Sequence, residues 1–146
     1  MNPQPFVVTP STYTRALNVL GEKITVLASH EATHGYEIFL QQGNEGSGPP
    51  PHSHDWDESF HVLKGSVEFS CNGSTITATQ GTFVHVPAGT IHSFRFGVEG
   101  CEMLSVTGHT SGAAQVFTAL DQLPPGPPDM QKVLEIGTKH GVNLHT

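Results

Sequence analysis

In the stretch from Gly46 to Gly65, GSGPPPHSHDWDESFHVLKG, His52 and His54 stand one residue apart and Glu58 follows four residues later. Side chains two apart on an extended chain leave on the same side. An extended segment broken by a short tight segment at Asp55–Asp57 therefore aims two imidazoles and a carboxylate at one point. That set suits a divalent metal ion, and it lacks a further ligand. A second stretch, Gly81 to Phe96, GTFVHVPAGTIHSFRF, offers His92 after a Pro87-Ala88-Gly89 turn. Three neutral imidazoles and one carboxylate leave such an ion residual positive charge. They also leave one or two open positions for water, O2 or a chelating substrate, which separates a reactive site from a sealed structural one. Fe, Mn, Ni, Co, Cu and Zn all accept this set, so the expected cofactor is one divalent transition metal of unspecified identity. His92 is expected on a strand opposite the one bearing His52 and His54, so that the metal clamps the two stretches together.

The elements that must position these residues read as short strands. Residues 13–20 and 22–29 are β candidates split by Gly21, and 35–41 alternates as a strand should. A Gly/Pro loop covers 43–51. Strands are expected at 58–63, 66–71 and 74–79, divided by Gly65 and by a Cys71-Asn72-Gly73 hairpin turn. An Asn-Gly pair between two such runs is a strong short-range hairpin signal. Residues 82–86, 91–96 and 102–107 complete the β region. Regularly spaced strands of this kind argue for a sandwich or closed roll. Beyond them Ser111 can cap a helix carrying Ala113, Val116, Phe117 and Leu120 on one face. A Pro-rich break, Leu123 to Pro128, leads to a second helix near Asp129, with Met130, Val133, Leu134 and Gly137 as its apolar stripe and Gly141 at its end.

The chain has 146 residues, 36% of them hydrophobic, with 16 Gly and 11 Pro. This suits one turn-rich β domain better than a helical bundle. Lys and Arg number 6 against 13 Asp and Glu, a net charge of −7. No basic cluster exists, which argues against nucleic acid and anionic membrane as partners. No apolar run approaches the length of a membrane span, and MNPQPFVVTP does not read as a signal peptide, so a cytoplasmic address is expected. Two cysteines, Cys71 and Cys101, do not make a disulfide framework and read as small core or edge residues.

The spacings G-x5-H-x-H-x3-E-x6-G (Gly46, His52, His54, Glu58, Gly65) and G-x5-P-x-G-x2-H (Gly81, Pro87, Gly89, His92) resemble the two signature motifs of the cupin superfamily. One departure is Phe96, where the longer family pattern has a non-ligating Asn. The resemblance implies an all-β fold, a double-stranded β-helix or jelly-roll barrel over about 13–108, with one or two short C-terminal helices within about 111–141. It implies metal ligation by His52, His54, Glu58 and His92. In quercetin-dioxygenase-like members the matching glutamate binds the metal or swings off it as a general base, which gives Glu58 a catalytic role as well. The function this implies is a metal-dependent dioxygenase acting on a small hydroxylated or dicarbonyl compound. The alternatives are a redox-silent metal-dependent isomerase or lyase, and a non-catalytic binding or sensor protein. Small cupins commonly pair through an edge strand, so a homodimer is expected, with residues 1–12 as a candidate exchanged arm.

The other residues read more simply. His61 and His85 fall on strands whose neighbours Phe60, Val62, Val84 and Val86 face inward, so both rings should point out. His30, His34, His109, His140 and His145 read as surface. Phe60, Val62, Phe69 and Phe94 are core, and are also expected to line the pocket. Trp56, Asp55 and Asp57 read as a solvated rim. Gly65, Gly81 and Gly89 read as turn positions needing positive φ or close approach.

Overall fold

A computed structural model describes residues 2–145. Among these residues nine strands form one curled sheet in which every pairing is antiparallel. The strands are β1 (Leu17–Val19), β2 (Glu22–Ala28), β3 (Glu37–Gly43), β4 (His52–His54), β5 (Glu58–Cys71), β6 (Ser74–Thr79), β7 (Phe83–Val86), β8 (His92–Thr107) and β9 (Val142–Leu144). One path runs β1-β2-β3-β8-β4-β9, and β5 joins it by pairing with β8 while also carrying β6 and β7. Three helices accompany the sheet: α1 (His30–Thr33), α2 (Ala113–Asp121) and α3 (Met130–Lys139). None is long and apolar enough to cross a membrane. The fold is the jelly-roll class expected, with short C-terminal helices.

The strand boundaries differ in ways that have physical causes. The runs 58–63 and 66–71 are one strand, β5, because Gly65 sits in it as a bulge rather than ending it. Its φ of +78° is open to glycine at little cost, and a Cβ there would lie 2.1 Å from the Gly100 carbonyl oxygen. The runs 91–96 and 102–107 likewise fuse into β8, which passes through Gly97 and Gly100 without leaving the sheet. Long strands of this kind curl the sheet, since β5 pairs with β8 twice, through Glu58–Gly65 against Cys101–Thr107 and through Val67–Cys71 against His92–Phe96. Residues 13–16 stay outside the sheet. The short strands β4 and β9, neither of which alternates over enough residues to be seen in sequence, pair with each other.

Two apolar clusters form. One fills the roll with Phe60, Val62, Val67, Phe69, Phe94, Phe96 and Met103, all buried. The other lies between the sheet and the helices, where Val19, Ile24, Phe39 and Trp56 meet Val116, Leu120 and Val133. Helix α2 begins one residue later than Ser111 would set it, with Gly112 as N-cap. Ser111 still supports its start, accepting from the Ala113 N–H at 3.0 Å and donating to the buried Glu37 carboxylate at 2.9 Å. That carboxylate also accepts from the Ala114 N–H, an anion at a helix N-terminus. Helix α3 starts as expected, the Asp129 side chain accepting from the Gln131 N–H. Its buried side is Val133 and Gly137, whereas Met130 and Leu134 are exposed.

Gly65→Ala forces a Cβ into the Gly100 carbonyl and places alanine at positive φ. It should destabilise the protein by about 2 kcal/mol or more, a fall of roughly 5 °C or more in Tm for a chain of this size. A melting curve that matches wild type would contradict the close approach described for this bulge.

Candidate metal centre

His52 and His54 lie on β4, Glu58 opens β5 and His92 opens β8. The sequence expectation put His92 on a strand opposite; it is on the neighbouring one, in direct register with His52 across the β4–β8 pair. The turn between β4 and β5 is tied to the Pro87–Gly89 turn by two hydrogen bonds. The Gly89 N–H donates to the His54 carbonyl at 2.8 Å, and the Ala88 N–H donates to the Asp57 carboxylate at 2.9 Å. Asp57 is thus a clamp between the two motifs and not merely a solvated side chain. Gly81 and Gly89 both hold positive φ, as their turns require.

All three histidines are oriented in the same manner. The Nδ1 atoms of His52, His54 and His92 lie 2.8, 2.9 and 2.9 Å from the backbone carbonyls of Pro50, Trp56 and Thr90. A carbonyl oxygen only accepts, so each Nδ1 carries a proton, and a ring in its neutral form then presents a bare Nε2 lone pair to the centre. Ligating nitrogens of the three converge within 4.8 Å of one another. The Glu58 Oε1 joins them, 3.2 Å from His54 Nε2 and 3.8 Å from His92 Nε2. His92 Nε2 is buried and has no hydrogen-bond partner. His54 Nε2 stands within hydrogen-bond distance of Glu58 Oε1, and neutral rings facing a carboxylate in this way repel it unless a proton or a metal cation lies between them. Donors each about 2.0–2.1 Å from one ion stand roughly 3 Å apart, so the residues present fit a divalent metal.

Protonation agrees with this. Burial, then the neighbouring His92, pushes the His52 imidazole down to about 4, so the ring is neutral near pH 7. Burial by itself would raise the Glu58 carboxyl, but its interactions with the neighbouring His54 and His92 rings outweigh it and bring the group down to about 2. Glu58 is therefore ionised. Trp56 is not a rim residue: it is 5% exposed and stacks on His54 with ring centroids 4.2 Å apart and planes 6° from parallel. Together with the Trp56 carbonyl this fixes the His54 ring from its face and its edge.

The cluster opens on a narrow, mostly apolar cavity with about 80 Å3 of room for water-sized molecules. His52, His54, Glu58 and Trp56 line it, with Phe94 and Val116 among its apolar walls. Of the four residues expected to line a pocket, Phe94 does so. Phe60, Val62 and Phe69 instead pack inside the roll, away from this space. The helical tail supplies much of the wall through Val116, Phe117, Leu120 and Val133. His61 and His85 are exposed, as their strand phase required, and His85 pairs with Ser59. His145 is not a free surface residue, since its Nε2 lies 2.8 Å from Ser53 Oγ on the strand between His52 and His54.

Two wall residues escaped sequence reading. Glu22 shares a face of β2 with Ile24, and Gln41 shares a face of β3 with Phe39; all four are buried. A polar side chain in phase with core residues was the available signal.

Residues 39–107 match the family model described as the Cupin domain, so the chain carries a cupin domain. Over 85 residues it is 34% identical to quercetin 2,3-dioxygenase of Bacillus subtilis, a match covering 57% of this chain and 25% of that enzyme. The chain thus spans about a quarter of the length of that relative. Among solved structures it resembles the polyketide cyclase RemF of Streptomyces resistomycificus, with a TM-score of 0.64 at 20% identity over 73% of this chain and 80% of that one. It also resembles an RmlC-like cupin of Shewanella frigidimarina, with a TM-score of 0.65 at 16% identity over 74% and 94% of the two chains. At these identities the likeness is one of fold.

Glu22 provides a pH test of the cavity. Burial pushes its carboxyl up to about 8, with the Glu58 charge adding to the rise and the Gln41 hydrogen bond opposing it. A raised acid binds its proton in the folded state while the unfolded chain has released it, so stability falls as pH rises from the ordinary 4.5 toward 8. Urea denaturation of metal-free protein should show wild type losing a few kcal/mol relative to Glu22→Gln across that window. Parallel profiles would contradict the burial described for this carboxyl.

Proposed function

We propose that the chain is a metal-dependent oxygenase of the quercetin-dioxygenase-like kind, acting on a small hydroxylated or dicarbonyl compound. The observation that carries the reading is the convergence of three Nε2 lone pairs and the Glu58 carboxylate on the wall of an apolar cavity. His52, His54, His92 and Glu58 would hold the ion. A divalent transition metal bound there supplies Lewis acidity and electron exchange with O2, which no side chain of the site offers. Glu58, ionised at neutral pH, accepts the proton of an enolic hydroxyl presented beside it. The edges of Trp56 and Phe94 add apolar lining to the cavity, and the α2 wall excludes water from the reacting edge of the substrate. The B. subtilis relative, itself a quercetin 2,3-dioxygenase, supports this reading over the redox-silent and binding-only alternatives.

Metal-loaded protein under air should consume oxygen with quercetin or a related enol. Glu58→Gln should lower turnover by about 100-fold or more, the usual range for a lost general base. Absence of uptake with every flavonol and enol tested would overturn the oxygenase. Anaerobic turnover with zinc would select an isomerase or lyase instead, and tight binding without turnover a sensor.

The proposal includes one domain working in the cytoplasm as a homodimer, which the exposed Phe6, Val7 and Tyr36 near the N-terminal arm support. Sedimentation should give twice the chain mass at micromolar protein; a monomer would refute the pairing.

A further inference from the structure

The cavity wall is apolar over most of its extent, through Trp56, Phe94, Val116, Phe117, Leu120 and Leu144, and apart from His52, His54 and Glu58 two polar side chains interrupt it. Glu22 opens β2 and Gln41 lies near the end of β3; each is 3% exposed. Gln41 Nε2 donates to Glu22 Oε1 at 3.0 Å, and Gln41 Oε1 is fully buried with no hydrogen-bond partner. An unpaired buried acceptor costs about 1–3 kcal/mol, whereas apolar residues in place of both partners would cost little. The pair therefore asks for a function, and it lies outside the His/Glu cluster while facing the same space.

We infer that Glu22 and Gln41 form a polar anchor in the cavity wall, at which Gln41 pairs with a hydroxyl of a hydroxyaryl substrate, remote from the hydroxyl deprotonated by Glu58. The ligand class rests on the oxygenase reading; the anchor itself rests on the geometry of the pair. Glu22 is the positioning residue. Its carboxyl holds one end of the Gln41 amide, so the other end is fixed toward a ligand. The class follows from the amide's two faces. A hydroxyl both donates and accepts, so it satisfies whichever end of the amide is presented, whereas a carbonyl suits only one. The apolar surround strengthens a single hydrogen bond and makes its absence costly, which is how a pocket discriminates a hydroxylated compound from its deoxy analogue.

The test uses metal-loaded protein under nitrogen and two probes, quercetin and 3-hydroxyflavone. They share the 3-hydroxy-4-keto chelating enol; quercetin adds four ring hydroxyls, one beside the keto group, two forming a catechol and one remote from both. Trp56 is the sole tryptophan and lines the cavity, so quenching of its emission, checked by calorimetry, reads binding directly. Wild type should bind quercetin about tenfold more tightly than 3-hydroxyflavone, equivalent to one hydrogen bond of ordinary strength. Gln41→Met should bring that ratio to within about twofold, with metal content and 3-hydroxyflavone affinity unchanged, and Glu22→Gln should keep the preference because it still holds the amide. Should Gln41→Met fail to fold, the double variant Glu22→Met/Gln41→Met removes both polar partners and reads the same ratio. A preference that survives the loss of Gln41, a wild type with no preference, or a wild type that binds neither probe would overturn the anchor. Oxygen uptake is scored separately. Discrimination without uptake removes the oxygenase and leaves the anchor, and uptake without discrimination does the reverse.

Discussion

Three backbone carbonyls, those of Pro50, Trp56 and Thr90, each take the Nδ1 proton of a histidine, and the site's chemistry depends on those three bonds. A neutral imidazole has one proton and one lone pair. Fixing the proton on the outer nitrogen fixes the lone pair on the inner one. With all three rings held in this way and Glu58 ionised beside them, the centre of the cluster is a concentration of electron pairs that only a cation relieves. The arrangement needs no side chain as second partner, because the chain's own amide groups do the orienting.

The backbone path that does this orienting is a product of the sheet. Direct register between His52 and His92 places two rings side by side, and the hydrogen bonds from Ala88 and Gly89 to the β4–β5 turn hold the two motifs against each other. Pairing of β9 with β4, reinforced by Ser53 and His145, secures the strand's other edge. The C-terminal helices then roof the cavity that the cluster faces. Metal-site geometry and cavity shape thus come from different parts of the chain, the first from the roll and the second largely from the tail. The same kind of cluster on the same fold can accordingly serve different substrates.

The cluster was legible in sequence because its members sit in phase on extended chain and at turn-defined spacing, which one-dimensional reading captures. His61 and His85 were placed outward by the same phase. What was hidden depends on long-range packing. Trp56 looks like a loop residue until Gly112 and Gly141 bring the tail over its ring. Phe60, Val62 and Phe69 alternate correctly for an interior position, but alternation does not say which of two interiors they enter. The pairing of His92 with His52 across neighbouring strands was hidden because β4 is only three residues long and meets β8 at that single register position. Glu22 and Gln41 were passed over because polar residues in short strands are usually solvated.

The most direct measurement is the metal content of purified protein by elemental analysis after growth in metal-supplemented medium, set beside that of His52→Ala/His54→Ala/His92→Ala. The structure predicts about one divalent transition-metal ion per wild-type chain, from the single such convergence among the described residues, and a loss to background in the triple variant that stays folded. Equal content in the two proteins, or none in wild type, would contradict it.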